Sequence, residues 1–203
     1  MRVGYLGGSF DPVHTAHLLI AESCLEQAHL DRVVFMVSGR PPHKLVRQLA
    51  DPAHRLAMVR LAIKGNPALG VDDRELHRDG PSYTVDTVRE LVAESPPGEE
   101  VVWIIGGDSL GELLTWRDAK GLVDAVEIVT AARPGYDAHA DAKSLEAGLG
   151  ADRVRRLTAG IIPMPLMEIS STDIRSRIDE GRSIRYLVPE AVEAYIRRHG
   201  LYR

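Results

Sequence analysis

The sequence predicts an α/β fold: a doubly wound parallel sheet with helices on both faces, in one domain over residues 1–203. Three observations carry that reading. The apolar runs Val3–Leu6, Val33–Val37 and Val101–Ile105 are too short for core helices and have the unbroken hydrophobicity of strands buried on both faces. Stretches with helical spacing separate them. Repeats, low-complexity tracts and obvious linkers are absent, so nothing divides a length that suits one core.

The elements follow in order. Val3–Leu6 is the first strand, and Leu18, Leu19, Ala21, Cys24, Leu25 and Ala28 mark the first helix. Val33–Val37 is the second strand, completing a βαβ unit of the kind that builds parallel sheets. Ser38 to Lys44 is a loop, because Pro41 and Pro42 lack amide donors, and Pro41 to Ala50 is expected to cover the site. Asp51 caps a second helix, with Pro52 at its first position and apolar residues at Leu56, Val59, Leu61 and Ile63. Gly65-Asn66-Pro67 ends it, and Val71–Leu76 is a half-exposed strand. The turn Gly80–Thr84 opens a third helix carrying Val85, Val88, Leu91 and Val92, which Ser95-Pro96-Pro97-Gly98 closes.

Val101–Ile105 is the clearest buried strand, and it runs into Gly106-Gly107-Asp108-Ser109-Leu110. A helical region around Leu113–Val123 contains Trp116-Arg117, and a strand from Glu127 to Ala131 ends at Arg133-Pro134-Gly135. Residues 136–160, rich in Ala and Gly, read as a short surface helix. Ile161–Leu166 is the last strand, placed at an edge by Pro163 and Pro165. From about residue 168 to 203 the chain is helical: one helix opens on hydroxyl caps at Ser170–Thr172 and stops at Gly181, and another runs from near Pro189 to Gly200.

A formal charge of −4 argues against nucleic-acid binding through a basic surface, and leaves room for one local cationic pocket. No apolar run approaches the ~20 residues of a membrane helix, and the start lacks the pattern of a signal peptide. Cys24 is the sole cysteine, which excludes an intrachain disulfide and suits a reducing cytoplasm. Its place in an apolar stripe makes it a small hydrophobe rather than a nucleophile.

Chemistry concentrates in Gly7-Gly8-Ser9-Phe10-Asp11-Pro12-Val13-His14-Thr15-Ala16-His17. Two glycines at a strand end let backbone N–H groups approach an anion, and imidazoles three apart share a helical face. That is a site for polyphosphate. The bland reading is solvated histidines at a helix start, and a zinc reading lacks a third ligand nearby. Ile169-Ser170-Ser171-Thr172-Asp173-Ile174-Arg175 is the second constellation. The hydroxyls alone are common caps, but Arg175 lies four residues after Ser171 and hence on the same face. Amides, hydroxyls and a guanidinium then converge on one anion. Neither Gly-x-Gly-x-x-Gly nor the Gly-x4-Gly-Lys-Ser/Thr loop occurs, so a dehydrogenase or P-loop ATPase has no fingerprint here.

The two constellations together resemble the nucleotidyltransferases with an active-site His-x-Gly-His signature, which have a Rossmann-like sheet. Further matches, between them and at the end of the chain, narrow the resemblance to the bacterial nicotinate mononucleotide adenylyltransferases. These are Pro41-Pro42-His43-Lys44, Pro81-Ser82-Tyr83-Thr84, Ile104 to Leu110, Thr115-Trp116, Arg133-Pro134-Gly135 and Gly200-Leu201-Tyr202. Nearly the whole chain is covered. Ala16 departs from the family by standing where glycine is usual, and a methyl group is tolerable there in a helix.

The resemblance implies attack by the 5′-phosphate of nicotinate mononucleotide on the α-phosphorus of ATP, with pyrophosphate released and Mg²⁺ bridging ATP oxygens. It implies ATP contacts at Gly7, Gly8, Ser9, Phe10, His14, His17, Gly106, Asp108, Ser170, Ser171, Thr172 and Arg175. His14, His17 and Arg175 carry the catalytic charge, and Asp108 takes the ribose hydroxyls. It implies mononucleotide contacts at Lys44, Tyr83, Thr84, Trp116 and Arg133, the tryptophan offering a stacking face to the pyridine. A π-face accepts acid and amide alike, so spacing leaves that choice open. Nicotinamide mononucleotide or phosphopantetheine as acceptor, and a non-catalytic nucleotide-binding module, are the alternatives. An assembly of identical chains is compatible with the sequence; a membrane or nucleic-acid partner is not expected.

Overall fold

The computed structural model of the chain describes residues 1–39, 49–132, 137–165 and 167–203. Six parallel strands form one sheet in the order β3-β2-β1-β4-β5-β6. They are β1 (Arg2–Gly8), β2 (Arg32–Val37), β3 (Leu69–Asp72), β4 (Glu100–Gly106), β5 (Glu127–Ala132) and β6 (Ile161–Pro163). After β1 the chain winds outward through β2 and β3, then returns to place β4 on the other side of β1. The order therefore reverses between β1 and β4, where their C-terminal ends leave a crevice.

Side chains alternate across the central strands, as a pleat requires. Leu6, Phe35, Val102 and Ile104 face one layer. There they meet Ile20 and Cys24 of α1 (Thr15–Gln27), Met58 of α2 (Pro52–Ala62), Ile174 of α9 (Ser171–Asp179) and Val192 of α10 (Glu190–His199). Tyr5, Met36, Trp103 and Ile105 face the other layer. Its partners include Val88 of α3 (Thr84–Glu94), Leu122 of α5 (Ala119–Ala125) and Leu157 of α8 (Ala151–Ala159). The Cys24 thiol is fully buried, and loss of solvation pushes its pKa up to about 12, so it packs as a hydrophobe.

Local signals set several boundaries. The Asp51 carboxylate accepts the Ala53 N–H at 2.8 Å with Pro52 at the first helical position, which starts α2. Gly200 ends α10 in the left-handed conformation, φ 59°.

Several expectations need correction. The strand expected over Val71–Leu76 is Leu69–Asp72 instead, followed by a 3-10 turn Arg74–His77 in which Glu75 is buried. The charges at 72–75 obscured it because an edge strand needs only Leu69 and Gly70 inside. The region Leu113–Val123 is broken into a 3-10 turn Leu113–Thr115 and α5, after a single turn α4 (Gly107–Leu110). Residues 138–159 hold α6 (Ala138–Ser144), α7 (Glu146–Leu149) and α8 rather than one surface helix. Leu145 and Leu149 are buried, because these helices cover the β5 side of the sheet. Val92 is 45% exposed and does not belong to the core face of α3. The strand expected to reach Leu166 ends at Pro163 on the sheet edge, and Leu166 lies outside the described residues. Among the described residues no helix is long and apolar enough to cross a membrane.

Candidate active site

Two depressions meet over the crevice and share Gly7, Gly8, Ser9, Gly106 and Ser109. The shared floor is backbone, and the glycines are required by close approach. A Cβ on Gly7 would stand 2.7 Å from the Trp103 ring, and one on Gly8 2.8 Å from the Phe10 ring.

The first depression is lined by His14, His17, Asp108, Ser170, Ser171, Thr172 and Arg175. Residues from both ends of the sequence thus meet across the starts of α1 and α9. His14 is the N-cap of α1, and its backbone N–H donates to Nδ1 of His17 at 3.2 Å. That bond makes Nδ1 an acceptor, so a neutral His17 carries its proton on Nε2. The two imidazoles stack, centroids 3.7 Å apart and planes at 22°, and the Phe10 and His17 rings meet in a T-shape with centroids 5.0 Å apart. Phe10 itself is buried against Phe35, so its ring supports the histidines from below instead of lining the cleft.

At the start of α9 the Ser170 hydroxyl accepts the Asp173 N–H at 3.0 Å, the bond of an ordinary cap. Ser171 Oγ donates to the Pro12 carbonyl at 2.9 Å, which fastens α9 to the first motif. Thr172 Oγ1 accepts from Arg175 Nη2 at 2.9 Å, while Arg175 Nη1 donates to the Asp11 carbonyl. Asp108 is exposed at the rim.

Three residues that the motif reading left without roles hold this arrangement. Asp11 is 1% exposed; its Oδ1 accepts the Tyr202 hydroxyl at 2.7 Å and the Ala50 N–H at 3.2 Å, and its Oδ2 lies 3.7 Å from Arg175 Nη1. Burial and the neighbouring Asp11 carboxylate push the Tyr202 phenol well above its ordinary pKa, so it stays a donor. Arg55, also 1% exposed, donates from Nη1 to the carbonyls of Ser9 and Ser38, both at 2.8 Å, and from Nε to Ala50 at 3.1 Å. Its signal was available: Arg55 occupies the same helical face as Met58 and Val59, an odd place for a charge.

The second depression is lined by Ser82, Tyr83, Thr84, Trp103, Trp116, Arg117 and Glu75. Trp116, Tyr83 and Thr84 therefore come together as expected, half-buried at the starts of α3 and of the segment before α5. Glu75 is buried; it accepts the Thr87 hydroxyl at 2.7 Å, and Thr87 accepts Arg78 Nη1 at 2.9 Å. Loss of solvation raises the Glu75 pKa, opposed by the Thr87 bond, Arg78 and the Gly39 N–H. Lys44 and Arg133 lie outside the described residues, as does most of the loop expected to cover the site.

Known proteins bear on this geometry. The sequence pattern of the cytidylyltransferase-like family matches residues 5–177. A protein of Thermomicrobium roseum named probable nicotinate-nucleotide adenylyltransferase is 43% identical over 202 residues, covering 100% of this chain and 92% of that relative. One of the same name from Thermus thermophilus is 44% identical over 205 residues, covering 100% of both. Among solved structures, Plasmodium falciparum nicotinic acid mononucleotide adenylyltransferase complexed with NaAD superimposes with a TM-score of 0.77 over 99% of this chain and 97% of that one. At 17% identity that likeness speaks for the fold. The chain belongs to the cytidylyltransferase-like family and, within it, to the nicotinate-nucleotide adenylyltransferases.

Proposed function

We propose that the protein transfers the adenylyl group of ATP to nicotinate mononucleotide, forming nicotinic acid adenine dinucleotide and releasing pyrophosphate. The observation that carries this reading is the junction of the two depressions. A cleft lined by imidazoles, hydroxyls and a guanidinium opens, over a glycine floor, into a cleft walled by tryptophan. Two substrates bound there meet at the C-terminal ends of β1 and β4. The named relatives support the choice of acceptor.

In this reaction a 5′-phosphate oxygen of the mononucleotide attacks the α-phosphorus, and the bond to the β-phosphate bridging oxygen breaks. The attacking oxygen is already ionised near neutral pH, so no side-chain nucleophile is required. Catalysis then consists of bringing two anions into line and stabilising the charge that develops on the transferred group. We assign His14 and His17 to the α-phosphate, with His17 Nε2 as donor. Arg175 and the free amides at the start of α9 take the leaving pyrophosphate. Gly7, Gly8, Ser9 and Gly106 offer backbone to the nucleotide, and Asp108 offers a carboxylate to the adenosine ribose. Trp116 stacks on the pyridine with Tyr83 and Thr84 beside it. Lys44 and Arg133 are assigned to the mononucleotide by resemblance.

Mg²⁺ enters with ATP. Asp108 is the one carboxylate among the described residues lining the first depression, a donor set that suits phosphate oxygens and leaves the ion to the substrate. Bound there, the ion would draw off phosphate charge.

The test is pyrophosphate release from ATP and Mg²⁺ with nicotinate mononucleotide, nicotinamide mononucleotide or phosphopantetheine as acceptor. Release with the first is expected. ATP binding with no release on any acceptor would support a nucleotide-binding module instead.

A further inference from the structure

Most of the second depression treats a pyridine acid and a pyridine amide alike. The indole of Trp116 offers a π-face to either ring. Ser82 supplies a hydroxyl that is buried and has no hydrogen-bond partner among the described residues, and it can donate to an oxygen of either group. Two differences separate the ligands: the acid is charged, and the amide carries N–H donors that the carboxylate lacks. Among the described lining residues the ionisable carboxyl is Glu75, the wrong sign for an acid, and Arg117 is the one permanent cation.

Arg117 is held in place. Its guanidinium carbon lies 4.6 Å from the centroid of the Tyr83 ring, the range of a cation–π contact. Its Nη1 is 3.2 Å from Asp86 Oδ2, and Asp86 is shared with Arg89 at 4.0 Å. The site charge is thus tethered at both ends and partly offset by Asp86.

We infer that Arg117 is a specificity-determining residue, its positive charge favouring the carboxylate of nicotinate mononucleotide over the neutral amide. This rests on the function proposed above. The Arg117 side chain is 58% exposed, so solvent weakens its field and the effect is modest: about five- to tenfold in acid-over-amide preference. Asp86 tempers that preference, and Ser82 serves both ligands equally.

The experiment measures kcat/KM for both mononucleotides with the full-length wild type and three variants. Arg117→Gln is expected to lower the value for the acid about five- to tenfold, chiefly through KM, and to leave the amide within about twofold. Asp86→Asn is expected to raise the acid-to-amide ratio. Ser82→Ala is expected to lower both values together. Raising the ionic strength to ~0.5 M should narrow the wild-type ratio and spare that of Arg117→Gln. An acid-to-amide ratio that survives both Arg117→Gln and Asp86→Asn overturns the inference while the adenylyl-transfer reading stands. A wild type that releases pyrophosphate with neither mononucleotide overturns both.

Discussion

His17 has its ring orientation set three ways: by the bond from the His14 amide, by the stacked imidazole and by the Phe10 edge. A donor so preorganised contributes most where charge develops. His17→Ala should cost on the order of 10²–10³ in turnover and leave the thermal midpoint within a few degrees. Steady-state rates beside a thermal melt would check both. Glu75 makes a different kind of prediction. Its folded pKa stands above the unfolded one, so the folded state holds its proton longer. The associated stability is full below the ordinary carboxylate range and is lost as pH rises through the raised value. Glu75→Gln keeps an acceptor for Thr87 and removes that loss. Urea midpoints should therefore shift in favour of the variant as pH rises from ~4 to ~7.

At the scale of elements, α9 illustrates how a common signal serves two ends. Its Ser170 cap is worth about 1 kcal/mol, so Ser170→Ala should lower stability by that amount in a denaturant titration. Ser171, one residue on, holds α9 to Pro12 and so sets the distance between the starts of α1 and α9, the helix ends assigned above to the ATP phosphates. The buried strands and the caps of α2, α9 and α10 were legible in the sequence, because apolar runs and Asp-Pro or Gly punctuation act locally. The line-up of His14, His17, Ser171, Thr172 and Arg175 on one cleft was legible too, from two spacings and a resemblance. What escaped depends on distant partners. Leu69–Asp72 is a strand because β2 pairs with it, and Leu145 and Leu149 are buried because the β5 side of the sheet needs cover. Arg55 and Glu75 have their roles only once the carbonyls of Ser9 and Ser38, or the hydroxyl of Thr87, arrive beside them.

For the molecule as a whole, the reversal of strand order between β1 and β4 decides where chemistry happens, since only there do loops from both windings face each other. Arg55 ties the β1 loop at Ser9, the β2 loop at Ser38 and the entry to α2 at Ala50. Arg55→Met, similar in bulk, would take this donor from part-buried carbonyls at all three places. A loss of about 3 kcal/mol or more is expected, together with a raised KM for ATP, measurable by chemical denaturation and initial rates. The bond from Tyr202 to Asp11 spans 191 positions and has a further meaning in time. During translation the glycine turn at residues 7–14 leaves the ribosome early, as do β1 and α1. The Arg175 helix and the Tyr202 hydroxyl that fix it follow only when nearly all the intervening chain has been made. β1 likewise waits about 100 residues for β4, its neighbour in the sheet. A nascent chain therefore carries an unfinished cleft until the segment bearing Tyr202 has emerged and reached Asp11.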